Sequence, residues 1–180
     1  MKRLLIVVGL TAALGGLFLF GLLRGEPGRN VASSRLDQTV PSFTLPLYPR
    51  YQAEFGPVLD LSKYLGERPL VVNFWASWCG PCYEEAPELQ EAWRQWGDEL
   101  LFIGIQTQDR DARAEGQAFL DQFDLGFPNA IDNESRVSID FGLFGVPETF
   151  FIRADGTLMY KHTGPVSQDL LEEKIRELTS

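Results

Sequence analysis

Two cysteines stand three residues apart in Trp78-Cys79-Gly80-Pro81-Cys82, and they are the only thiols in a chain of 180 residues. Thiols at this spacing can carry haem, help to hold a metal, act as a nucleophile, or close and reopen a disulfide. Covalent haem attachment requires a histidine directly after the second cysteine, where Tyr83 stands. A tetrahedral zinc site requires a second pair of ligands, and His162 is the sole histidine. A hydrolase pairing Cys79 with His162 leaves the second cysteine without a role and has no supporting motif. A purely structural disulfide fits poorly, because so short a loop removes little chain entropy from the unfolded state. Reversible thiol-disulfide exchange is the chemistry that the pair suits best.

That chemistry needs a thiolate, and the flanking elements supply the conditions for one. Leu70-Val71-Val72-Asn73-Phe74-Trp75 is a nearly continuous apolar run, as expected of a strand covered on both faces. Residues 81–96 read as a helix, with Glu84, Glu85 and Glu88 early and Leu89, Ala92, Trp93 and Trp96 at helical spacing. The cysteines therefore fall at a strand-to-helix junction, where unpaired amides and the positive helix end favour an ionised Cys79. Pro81 suits the first turn, where its missing N–H is not needed, and Gly80 leaves the approach to Cys79 open.

Further along, residues 100–105 read as a second buried strand, 111–123 as a helix and 167–178 as a closing helix. Residues 149–153 and 158–162 form a hairpin across Ala154-Asp155-Gly156. The order β-α-β-α-β-β-α predicts an α/β fold, a central mixed sheet flanked by helices and built around one βαβ unit. Upstream, Pro41, Pro46, Pro49 and Pro57 break residues 40–60 into short pieces that suit edge strands or a hairpin, an N-terminal β extension. Three regions follow: 1–24, 25–39 and a domain over 40–180.

Leu4 to Leu23 carries no charge and no proline, and twenty helical residues span a hydrocarbon layer of about 30 Å. The run ends in Leu22-Leu23-Arg24 rather than in a small-residue cleavage site, which favours an uncleaved N-terminal transmembrane helix over a signal peptide. No cysteine precedes Cys79, so a lipid-anchored form is excluded. Residues 25–39 mix Gly, Pro, Ser and charges without apolar period and read as a linker. The net charge is −9; setting aside Lys2, Arg3, Arg24, Arg29 and Glu26 leaves 12 bases and 24 acids, or −12 on the domain. Such a surface disfavours nucleic acid and anionic lipid as partners.

Val71 to Cys82 resembles the active-site segment of thioredoxins, well beyond a bare pair of cysteines. Residues 141–150, with Gly145-Val146-Pro147-Glu148-Thr149, resemble the segment that carries a cis-proline opposite the cysteines, which makes Pro147 that proline. With the N-terminal anchor and Lys161-His162-Thr163-Gly164-Pro165, the likeness is to membrane-anchored periplasmic thiol-disulfide interchange proteins of the cytochrome c biogenesis (DsbE/CcmG) type, from about Val40 onward.

The resemblance implies a thioredoxin fold on the periplasmic side of a bacterial inner membrane. It implies a thiol-disulfide oxidoreductase with no bound cofactor beyond the Cys79-Cys82 couple, Cys79 attacking and Cys82 resolving. Its clients would be apocytochrome c or other cysteine-containing proteins, and a membrane thiol-disulfide electron transporter would supply electrons. Ordinary thioredoxin has an aspartate where Asn73 stands, and an amide cannot take up a proton as a carboxylate does. Glu85, three residues after Cys82, matches the acid of the anchored reductases and takes the acid-base role; the alternative is an exposed acid at a helix start. Glu148 would tune the cysteines or meet the client, against the alternative of an exposed strand-end acid. Trp78, Gly80, Pro81 and Pro147 belong to the same surround, and Trp75 and Trp78 are read as packing rather than catalytic. Gly80-Pro81 between the cysteines, and a domain too short for the helical insertion of the oxidising type, favour a reductant. Rival readings are a general reductase, including one for copper-site cysteines, a tethered non-redox binding or chaperone module, and a peroxidase.

Overall fold

The computed structural model describes residues 9, 11, 14–16 and 36–180. The chain divides into two units, Met1–Val31 and Ala32–Ser180. Most of the expected span over residues 4–23, and most of the linker over 25–39, lie outside the described residues; 9, 11 and 14–16 are helical. Among the described residues no helix is long and apolar enough to cross a membrane.

In the second unit, β1 (Thr44–Pro46) and β2 (Val58–Asp60) form a two-stranded antiparallel sheet around a short helix, α1 (Gln52–Phe55). This is the N-terminal β extension expected from the prolines. The main sheet comprises β3 (Leu70–Trp75), β4 (Leu101–Thr107), β5 (Asn129–Asp132), β6 (Glu148–Ile152) and β7 (Leu158–Thr163), in the spatial order β5-β4-β3-β6-β7. Strands β3, β4 and β5 run parallel, and β6 and β7 add antiparallel. Between them run α2 (Gly80–Trp96), α3 (Arg113–Gln122) and α4 (Arg136–Asp140), and α5 (Gln168–Thr179) closes the chain.

Every residue of β3 and β4 is buried, which accounts for their apolar runs lacking alternation. Alternation along β3 nevertheless sends Val71, Asn73 and Trp75 to one face and Leu70, Val72 and Phe74 to the other. On the first face Trp75 stacks on Phe119 of α3 with ring centroids 4.4 Å apart, and α2 lies against α5. On the second, Phe74 packs on Phe141, just past α4, and on Phe150 of β6, while Phe43 packs on Phe141 from upstream of β1.

Three elements were not legible in the sequence, α1, β5 and α4. Strand β5 turns the single expected βαβ unit into two successive crossovers, β3-α2-β4 and β4-α3-β5. Asn-Ala-Ile-Asp is four residues long and polar at both ends, so it offers no period to read. Tertiary partners make it a strand: Tyr48 N–H donates to the Asn129 carbonyl, and Asn129 Oδ1 accepts from the buried Trp75 Nε1 at 2.9 Å. Gly104 on β4 is required by this contact, since a Cβ there would lie 1.8 Å from Asn129 Oδ1.

Candidate active site

Strand β3 delivers the chain to the cysteines through a short braced loop. Asp109 Oδ2 accepts from Ser77 N–H at 2.6 Å and from Gln106 Nε2 at 2.7 Å. The Cys79 N–H donates to the Ala76 carbonyl, and the Tyr83 hydroxyl to that of Ser77. Cys79 is the N-cap of α2, with extended backbone, and its Sγ accepts the Cys82 N–H at 3.2 Å. Pro81 falls in the first turn, as the sequence implied. Cys79 and Cys82 form a disulfide with their Cα atoms 5.3 Å apart, and both side chains are buried. After reduction, the Cys82 N–H and the helix end would favour a thiolate on Cys79 over a neutral thiol. Trp78, beside them, is 62% exposed and donates its Nε1 to the Gln108 carbonyl at 3.0 Å. Trp75, by contrast, is buried packing.

Glu85 is not the exposed acid that its position near a helix start permits. It is 1% exposed. Its Oε1 accepts from Asn73 Nδ2 at 2.7 Å, and its Oε2 from the Val166 N–H at 2.9 Å. Burial raises its pKa from 4.5 to about 7, against the opposing pull of the Val166 and Asn73 hydrogen bonds. The carboxyl thus lies one helical turn from Cys82 with a proton affinity suited to exchange near neutrality. Glu84, by contrast, is exposed and Glu88 half-buried. Asn73 also donates to Thr149 Oγ1 at 3.0 Å, so one amide ties the acid to the strand that follows Pro147.

The Val146-Pro147 peptide is cis. In the β3–β6 register Phe74 faces Glu148, which places Pro147 just past that pair, at the end of the sheet from which β3 runs to the cysteines. Glu148 is fully buried, so the exposed strand-end alternative fails. It shares a face with Phe74, opposite to that of Asn73 and Glu85, and pairs with Lys161 Nζ at 2.8 Å, a contact outside hydrogen-bond angles. The sequence reading gave Lys161, Thr149 and the Val166 N–H no role. A lysine and a glutamate on the same face of the two hairpin strands was the available signal for Lys161.

A redox-closed cysteine pair at the start of a helix, a buried acid one turn later and a cis-proline at the same end of a mixed sheet define a thioredoxin-fold thiol-disulfide oxidoreductase. Residues 36–161 match the AhpC/TSA family. The DsbE thiol:disulfide interchange protein of Allochromatium vinosum is 33% identical over 99% of this chain and 93% of its own. That of Escherichia coli is 30% identical over 98% and 93%. A secreted Mycobacterium tuberculosis disulfide oxidoreductase, described as homologous to E. coli DsbE, superposes with a TM-score of 0.65 at 29% identity, covering 82% of this chain and all of that one. The chain belongs to the AhpC/TSA family, among its thiol:disulfide interchange proteins of the DsbE kind.

Proposed function

We propose that this oxidoreductase is an extracytoplasmic reductant, anchored by residues 1–24, that reduces disulfides of apocytochrome c before haem attachment. The Cys79 thiolate attacks one sulfur of the client disulfide; that bond breaks, one client thiolate leaves, and a mixed disulfide forms. Glu85, ionised, takes the proton of Cys82. The Cys82 thiolate then attacks Cys79 Sγ, the mixed bond breaks and the second client thiolate departs. The client gains two electrons, and the Cys79-Cys82 dithiol, now a disulfide, is re-reduced by a membrane dithiol donor.

The observation that carries this reading is Glu85: an acid with a pKa raised to about 7, one turn from the resolving cysteine, in place of the aspartate that Asn73 replaces. The likeness to the cytochrome c biogenesis type supports the choice of client, and the apolar run over residues 4–23 supports the anchor. The test is the reduction potential with client trapping. A potential near about −270 mV, with apocytochrome c captured as a mixed disulfide by Cys82→Ser, is the expected result. A potential near about −120 mV makes the protein an oxidant and overturns the reading. Capture of copper-site proteins instead keeps the chemistry and replaces the client.

A further inference from the structure

Lys161 is a cation on β7 whose side chain is only 4% exposed. Burying an ion pair carries a desolvation cost that its own attraction often fails to repay, and well-packed apolar residues often serve stability as well. What the Lys161–Glu148 pair does that apolar residues cannot is satisfy the backbone of one particular loop. Lys161 Nζ donates to the Gly142 carbonyl at 2.9 Å, and Glu148 Oε1 accepts the Phe144 N–H at 3.3 Å. The two charges thus take one acceptor and one donor from residues 142–144, in the loop that leads to Pro147. Thr163 Oγ1 donates to the same Glu148 Oε1 at 3.2 Å, and the Gly164 N–H to the Pro147 carbonyl at 2.9 Å, so β7 and the glycine that follows it hold the loop at both ends.

The ammonium also sits over the Phe144 ring, 4.7 Å from its centroid, and over the Phe150 ring at 5.1 Å. Phe150 belongs to the core, but Phe144 is 73% exposed. A cation over one face attracts the ring electrostatically and so favours one place for an exposed aromatic group. The result is a large aromatic group held outward, three residues before the cis-proline, at the end of the sheet that bears the cysteines.

We propose that Lys161 is a positioning residue of the exchange reaction, clamping residues 142–147 so that Phe144 meets a polypeptide client presented to Cys79. The proposal rests on the reading that Cys79 and Cys82 exchange with protein disulfides. It makes Phe144 a determinant of protein over small-molecule disulfides, because a polypeptide client carries side chains and backbone on both sides of its cysteine for the ring to meet, and glutathione disulfide offers far less such surface.

The experiment uses the reduced full chain in detergent, with insulin as the protein disulfide and glutathione disulfide as the small one, and reads the ratio of the two rates. Lys161→Met and Phe144→Ala should each lower the insulin-to-glutathione ratio, by up to about a hundredfold for a misplaced contact. Lys161→Arg, which keeps the cation and its donors, should restore most of it. If Lys161→Met does not fold, Phe144→Ala, changed at an exposed position, carries the comparison with Lys161→Arg. A ratio equal to that of the unaltered protein in Phe144→Ala overturns the proposal, as does an equal loss with both substrates in Lys161→Met. A wild-type protein that reduces neither substrate overturns the exchange reading itself, a different outcome from a wild type that reduces both while the variants fail to separate them.

Discussion

Replacing Glu85 by glutamine should make the oxidised protein more stable at alkaline pH and slower in exchange. The carboxyl is pushed from 4.5 to about 7 in the fold, so between those values the native state holds a proton that the unfolded chain has released. Stability contributed by Glu85 is therefore highest below pH 4.5, falls as pH rises towards 7 and is flat above it. At 1.36 kcal/mol per pH interval of one, the loss amounts to about 3 kcal/mol. Glutamine imitates the protonated acid and escapes this loss. It can also be accommodated: Asn73 now donates through Nδ2 to Glu85 and to Thr149. A flip of that amide would present Oδ1 to the NH2 group of the introduced glutamine and to the Thr149 hydroxyl, while the glutamine's carbonyl oxygen keeps the Val166 N–H. Urea denaturation of both proteins at pH 4.5 and pH 8 should give equal stabilities at the lower pH and an advantage of up to about 3 kcal/mol for Glu85→Gln at the higher. Taking the difference between the two proteins removes every other titrating group. In exchange, the limb rising through about pH 7 should disappear and the rate at pH 8 fall by about a hundredfold, the low end for lost acid-base catalysis. A difference in stability that does not change between the two pH values would refute the assignment of a raised pKa to Glu85.

Asn73→Asp puts a second carboxylate against Glu85 and removes the amide donor, so the Glu85 carboxyl should move further up; 13C NMR titration should show this, and an unmoved titration counts against the Asn73 contact. Gly104→Ala forces a Cβ into Asn129, whose Oδ1 accepts from Trp75 Nε1, and should cost about 2–4 kcal/mol in denaturant unfolding. A cost near zero there would mean that Asn129 moves freely. Trp78→Ala removes a mostly exposed ring with one hydrogen bond to Gln108 and should change stability by no more than about 1 kcal/mol. Its rate with a protein disulfide should fall all the same, and an unchanged rate would return Trp78 to a packing role.

The local instructions for the site lie close together in the chain and so could be read from it. The run from Leu70 to Trp75 has the composition of a doubly covered strand, and Gly80-Pro81 can only open a helix comfortably at its first turn, so the cysteines had to sit at the start of that helix, just beyond the strand. The prolines between 41 and 57 announced a short hairpin at the edge. Strand β5 stayed hidden because its identity comes from its ladder with β4 and from Tyr48 and Trp75, distant residues that satisfy Asn129, and not from any pattern in its own four residues.

The acids divide in the same way. By itself the sequence determined that Glu85 lies one turn beyond Cys82, since helical spacing is a local property, and that Glu148 follows the residue placed as the cis-proline. Helical and strand spacing say nothing about what covers a side chain from elsewhere in the chain. Only the tertiary structure decided that Glu85 is buried, which raises its pKa, and that Val166, 81 residues away, and Asn73 supply the hydrogen bonds that partly oppose the rise. Only the tertiary structure, too, set Glu148 on the opposite face of the sheet against Lys161, because the pairing of β6 with β3 and β7 joins residues that no local pattern connects.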